Sequence, residues 1–451
     1  MFRDRKKLGA GARIFVLVPV IAGAALAGGC EDWLDVTDPG ALEDPALRNE
    51  ENINLMMDGV IGDFQEAFAW TALFSGVFVD ELRNHHGYFE NGEFDLREVN
   101  DNNGTYTLAV YNGLHRARFL ADSVASRIRT LLADSAGRDL RLARVLAYAG
   151  YSYIMLGEQM CESPINLGPP LPSSELLGMG QTRFTDAIEV ATAARAAATS
   201  DALTAAADSV LNFARVGAAR AALDLGDAAA ASGFASAVEP AYGSPAAPGF
   251  AYYAWYVDGA NASERRRIGN PYWEFVTSGR WFSVSGTQFE NLDDPRVPHA
   301  DSTLAAADGT RRFVPNSPLA FSTYDGTLEG APFEATSSIR IASALEARYI
   351  LAEIEGATAE NVAFVNERRA IGGQGALVAP AADAYVVALR EQRARDLFID
   401  GHRLGDLRRY KEQYGEDLFE HGAYYGSATD VFGDQECWPI PLAEKTGNPN
   451  F

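Results

Sequence analysis

Cysteine and histidine are scarce in this chain: its 451 residues include three cysteines and six histidines, and nothing in their spacing resembles a metal-binding pattern. His85 and His86 are adjacent, but sequence neighbours rarely ligate one ion together, so the pair reads as exposed loop. Positive charge is short as well. Lys and Arg number 38 against 61 Asp and Glu, a net charge of −23, which argues against nucleic acid or an anionic membrane surface as partner because both need a basic footprint. No Gly-x-Ser-x-Gly elbow, phosphate loop or dinucleotide fingerprint occurs, so no catalytic residue, cofactor or metal is implied. With so many carboxylates, a glycoside hydrolase stays open as an alternative, since its diagnostic is a distance in space rather than in sequence.

Long apolar runs are missing too. The longest, Ile14 to Leu26, is interrupted by Pro19 and falls short of the roughly 20 residues that span a bilayer. It follows the basic residues Arg3, Arg5, Lys6, Lys7 and Arg13, and Ala27, Gly28 and Gly29 lead from it into Cys30. Residues 1–29 thus resemble a lipoprotein signal peptide, with Cys30 the lipidated first residue of the mature chain; an ordinary secretory signal with an incidental cysteine is the alternative. Its removal takes away five basic groups and Asp4, deepening the net charge of −23 by a further four. Cys161 and Cys437 then remain, either bridged across a long loop or as two buried free thiols.

What the chain does have is helical periodicity. Residues 30–50 read as an acidic extended tether, and 51–231 as an N-terminal helical region. Ile53, Met56, Met57, Val60, Phe64 and Phe68 share one helix face in 51–79, and Leu142, Val145, Leu146, Ala149 and Tyr153 repeat the stripe before Gly157, which is placed to end that helix in a left-handed conformation. The alanine-rich stretch 184–232 allows helices to approach closely, with Leu223 to Asp227 as a turn. Paired helices with small residues at their contacts predict a mainly α, tetratricopeptide-like repeat scaffold. Residues 232–340 form a loop-rich insertion crowded with Gly, Pro, Ser and aromatics, including Trp255, Trp273, Trp281 and Tyr324; so many aromatics argue against disorder. Helix returns over 341–451, at Ile341 to Gly356, Asn361 to Ala370 and Asp383 to Ile399.

Within 341–451 lie Glu346-Ala347-Arg348-Tyr349, Asn366-Glu367-Arg368-Arg369, Arg393-Ala394-Arg395-Asp396-Leu397, Asp400-Gly401-His402-Arg403-Leu404-Gly405-Asp406-Leu407-Arg408-Arg409 and Trp438-Pro439-Ile440-Pro441. Together with Asp294-Pro295-Arg296, these resemble the SusD/RagB-like family of outer-membrane nutrient-binding lipoproteins. The family usually has glutamates where this chain has Gln392, Asp396 and Asp400. The alternating charges there read as a structural ion-pair network rather than a ligand site. The resemblance implies a surface lipoprotein, lipid-anchored in the outer membrane, that binds oligosaccharide or peptide and delivers it to a SusC-like TonB-dependent transporter. It implies ligand contacts after the first long helix, at Asp80, Glu81, Arg83, Asn84 and Tyr88, and in the insertion, at Trp273, Trp281 and Tyr324, where aromatic faces suit the apolar faces of sugar rings. A tetratricopeptide-like scaffold that binds only protein is the remaining alternative.

Overall fold

The computed structural model describes residues 46–276, 281–297, 333–425 and 429–451, with the backbone alone of 299–305 and 311–315. The leader, Cys30, most of the tether and Tyr324 lie outside the described residues. In chain order the helices are α1 (Ile53–Phe78), α2 (Phe89–Asp95), α3 (Asn112–Leu132), α4 (Leu140–Gln159), α5 (Ser173–Ala196), α6 (Asp201–Asp224), α7 (Ala228–Ser236), α8 (Ala262–Ile268) and α9 (Tyr272–Phe275), then α10 (Ala344–Glu355), α11 (Ala359–Ile371), α12 (Ala382–Asp396), α13 (Arg403–Tyr414) and α14 (Leu442–Gly447). The strands are short: β1 (Arg83–Asn84), β2 (Glu162–Pro164), β3 (Pro170–Pro172), β4 (Ala251–Ala254), β5 (Phe282–Ser283), β6 (His299–Ala305), β7 (Arg311–Pro315) and β8 (Ile339–Ser343). They pair antiparallel as β1–β5, β2–β3, β4–β8 and β6–β7. The architecture is mainly α.

Short polar side chains start several of these helices. Asp139, Ser200, Asp227, Ser343 and Thr358 each accept a hydrogen bond from a backbone N–H in the first turn of the helix that follows, satisfying one of its orphan donors. Helices α3, α4, α5 and α6 pack in succession, as stacked helical repeats do. Glycine sets how close they come. An added Cβ at Gly150 in α4 would sit 2.6 Å from the Phe184 ring, and one at Gly217 in α6 would sit 2.3 Å from it, so Phe184 of α5 occupies space that two missing side chains leave. Gly157 belongs to the same class rather than ending α4: the helix continues to Gln159, and a Cβ there would meet Leu177 at 2.7 Å.

Helix α1 differs from the single-face expectation in its second half. Ile53, Met56, Val60 and Phe64 form the predicted buried stripe, but from Ala67 onward nearly every residue is buried because α2, α3, α4 and α13 all pack on this helix. The C-terminal region builds its own core from Leu345, Tyr349, Phe364, Val365, Tyr385 and Leu389. Helix α10 begins at Ala344 rather than Ile341, which belongs to β8.

The charged motif residues of the C-terminal region are buried and paired across elements. Arg368 donates to both oxygens of Asp396 at 2.7 and 2.5 Å, Arg340 reaches Asp400 at 2.9 Å, and Arg393 reaches Asp406 at 2.7 Å. Asp400 is not one helical turn beyond Asp396, because α12 stops at Asp396 and Gly401 turns the chain with φ +81. Gln392, where a charge is absent, accepts from Arg296 at 2.8 Å, and Arg296 in turn holds Asp294 at 2.7 Å. His402 sits between Glu346 (3.1 Å) and Asp400 (3.2 Å). Burial disfavours its charge, yet the two carboxylates outweigh that and lift its pKa to about 9.

Cys161 and Cys437 are joined by a disulfide 276 residues apart in sequence. Beside it the backbone is sewn as well, Cys161 N–H donating to Trp438 O at 3.0 Å and Trp438 N–H to Gln159 O at 2.8 Å. Trp438 is fully buried, with the rings of Phe78, Phe94 and Tyr106 edge-on at 5.9, 5.5 and 5.8 Å. The Trp-Pro motif therefore plugs the end of α4.

Candidate ligand-binding site

The segment that follows α1 divides into an inner and an outer part. Asp80, Glu81 and Arg83, expected as ligand contacts, are buried and engaged by the protein itself. Asp80 receives both arms of Arg403 at 2.8 and 2.6 Å; burial favours its neutral acid, but that guanidinium outweighs burial and holds the carboxyl below its usual range. Glu81 accepts from Ile399 N–H at 2.9 Å with one oxygen, while the other is buried without a hydrogen-bond partner, and burial pushes its pKa up to about 8. Arg83 donates to Val79 O at 3.0 Å and pairs with Asp95 and Glu420. These groups fix the loop.

The outer part is held by the β1–β5 ladder, in which Arg83 opposes Ser283 and Asn84 opposes Phe282. His85 N–H continues the pairing, donating to Trp281 O at 2.7 Å. The ladder thus joins the loop after α1 to the aromatic insertion, two regions nearly 200 residues apart. Its consequence is a ring stack: the His86 imidazole lies 3.7 Å from the Trp281 ring at an interplanar angle of 15°. Behind Trp281 comes Phe275 at 4.9 Å, and behind that Trp70 of α1 at 5.2 Å. Asn84 shapes the turn beneath, its side-chain amide donating to His86 O at 2.9 Å and accepting from His86 N–H at 3.2 Å.

Two further expected residues lie elsewhere. Tyr88 is 44% exposed beside Phe89, which is 69% exposed, and its hydroxyl donates to Glu90 at 3.2 Å. Trp273, in α9, carries the Arg265 guanidinium 5.3 Å from its ring. The histidine pair is not exposed loop. His85 is buried with Nε2 2.6 Å from Ser283 Oγ, and His86 is the ring that Trp281 stacks on. Sequence reasoning missed His86, Trp70 and Phe275. His86 was weighed only as a metal ligand, whereas its flat ring two residues after the turn-forming Asn84 was the signal that could have found it. Among the described residues no group of three or more His, Cys, Asp or Glu side chains is placed to hold a metal ion. The half-buried His86 ring covers one face of Trp281, and the stacked pair with the Asn84 amide beside it forms a flat, partly exposed platform suited to the C–H face of a ring and its hydroxyls.

No protein-family model matches the sequence, and no curated protein matches it. Solved structures do. A SusD superfamily protein from Bacteroides vulgatus superposes with a TM-score of 0.63 at 13% identity, over 90% of this chain and 98% of its own. A SusD-like carbohydrate binding protein from the same organism gives 0.65 at 13% identity, over 89% and 97%. A laminarin binding SusD-like protein gives 0.53 at 15% identity, over 89% and 100%. This chain has the SusD-like fold.

Proposed function

We propose that this chain, with its SusD-like fold, is a surface lipoprotein that captures a neutral oligosaccharide on the Trp281–His86 platform and passes it intact to a SusC-like TonB-dependent transporter in the outer membrane. The observation that carries the reading is the ladder that brings an imidazole and an indole into one stack beside Asn84. Neighbours described as carbohydrate binding and laminarin binding support a glycan as the ligand. The basic leader and Cys30 support the lipid anchor. Tyr88 and Trp273 are taken as flanking contacts in this reading, and turnover is not part of it.

The experiment is calorimetry of residues 31–451 against laminarin oligosaccharides, other neutral oligosaccharides and short peptides, with product analysis on the same samples. Saturable binding of intact glycan supports the capture role. Cleavage would replace it with a hydrolase, and silence toward every ligand would favour a protein-binding scaffold.

A further inference from the structure

A second candidate site lies on α3 and shares no residue with the platform. A groove of about 640 Å³ runs along that helix and is lined by Arg118, Phe119, Asp122, Ser126, Arg127 and Asn166. Two features set it apart. Phe119 is 58% exposed, an aromatic face turned outward on a helix otherwise packed through its apolar side. Beside it Arg118 is only 3% exposed, its guanidinium 5.8 Å from the Phe119 ring.

Arg118 is buried without full neutralisation. Its Nη1 donates to Asn166 Oδ1 at 2.8 Å, a neutral partner, and its Nε is buried with no hydrogen-bond partner. Asp122 stands 4.0 Å from it, but that carboxylate is taken by Arg183 Nε at 2.7 Å and the Tyr153 hydroxyl at 2.8 Å. A guanidinium so placed still has donors to give, and burial makes a second oxyanion worth more there than in water. Asn166 is held to it by backbone that is not cheap for non-glycine residues, with φ +54 at Asn166 and +60 at Leu167. Asn448 and Asn450 clamp that turn through Gly168 O and Leu167 O, at 2.9 and 2.5 Å. The Asn166 oxygen is spent on Arg118, so its NH₂ is the group left to donate outward.

An outward aromatic face, a partly neutralised buried arginine, an amide donor and the Ser126 hydroxyl line one groove and fit one chemistry. We propose that this groove is a second ligand site, taking a sugar that carries a carboxylate: the ring on Phe119, the carboxylate on Arg118. It shares no residue with the Trp281–His86 platform, so the two sites stand or fall separately. In a chain of net charge −23, long-range repulsion confines such a site to short acidic sugars, and contact rather than the overall field supplies the affinity.

The test titrates residues 31–451 with an oligosaccharide of glucuronic acid and with its neutral glucose counterpart, in wild type, Phe119→Ala, Arg118→Lys and Trp281→Ala. Phe119→Ala removes an exposed ring and leaves the fold intact, so it remains informative if the Arg118 variant folds poorly. The expected result is saturable binding of the acidic sugar, weakened about ten-fold by Phe119→Ala and by Arg118→Lys and unaffected by Trp281→Ala; in Trp281→Ala, where the platform is silenced, the acidic sugar binds about ten-fold tighter than the neutral one. No binding of the acidic sugar by wild type, equal binding of the two sugars by Trp281→Ala, or loss in Trp281→Ala with Phe119→Ala unaffected overturns the proposal. Because Trp281→Ala reads the platform and Phe119→Ala reads the groove, failure of one site is not mistaken for failure of the other.

Discussion

A carboxyl group with one unpartnered oxygen in a dry interior keeps its proton, and Glu81 is in that position. Its folded pKa of about 8 lies above the ordinary 4.5, so its contribution to stability is fully present below about pH 4.5 and is lost as pH rises toward 8. Glu81→Gln keeps the acceptor for Ile399 N–H and removes the titration. Urea unfolding at pH 5 and pH 8.5 should then show the variant gaining on wild type at the higher pH by about 1 kcal/mol or more; an unchanged difference between the two pH values would mean Glu81 is ionised in the fold. On the platform, His86→Ala and Trp281→Ala should each weaken neutral-glycan binding by about ten-fold, the order of an aromatic stacking contact. A melting curve checks that each variant stays folded, and undiminished binding in both would move the ligand off this stack. The buried acid Glu81 and the half-buried His86 ring sit five residues apart, which is why residue type alone did not separate them. Asp80 is paired by Arg403, 323 residues away, and no local pattern announces such a partner.

At the scale of elements, what was legible followed period. The helices α1 and α4, the turn at Leu223 to Asp227 and the helix over Asn361 to Ala370 were legible from local pattern, and the structure has them. The β1–β5 ladder has no period to read, being two residues long on each side, and it is the element that creates the stack. Glycine misleads for a related reason: Gly157 offers the same letter whether it ends a helix or admits a neighbour, and only packing decides. Close approach makes a prediction of its own. Ala at Gly217 would place a methyl 2.3 Å from Phe184, so Gly217→Ala should cost about 1–3 kcal/mol in denaturant unfolding. Adding Phe184→Leu should recover part of that loss rather than compound it, since the two substitutions share one contact. Simple additivity would show that the helices shift apart instead.

Over the whole molecule, the problem is to hold the C-terminal region against the helices that precede it. Arg403 on Asp80, Arg409 on Asp224, Arg220 on Gly401 O and the Trp438 plug against Phe78 all cross that boundary, and each joins residues more than 180 positions apart. Buried ion pairs are poor net stabilisers but costly to break, by about 3–5 kcal/mol when one partner is removed, so they specify the arrangement more than they strengthen it. The Cys161–Cys437 disulfide acts differently. It closes a loop of 276 residues and limits the unfolded chain, an effect of about 2–5 kcal/mol for bridges of this kind. Cys161→Ser with Cys437→Ser should therefore lower stability by that order while leaving the Trp438 ring buried, because the backbone bonds from Cys161 N–H and Trp438 N–H remain to hold the segment. Denaturant unfolding reads the first effect and tryptophan fluorescence in the native state reads the second. If the double variant instead exposes Trp438 without denaturant, the bridge is the fastening itself and the backbone pairing only follows it.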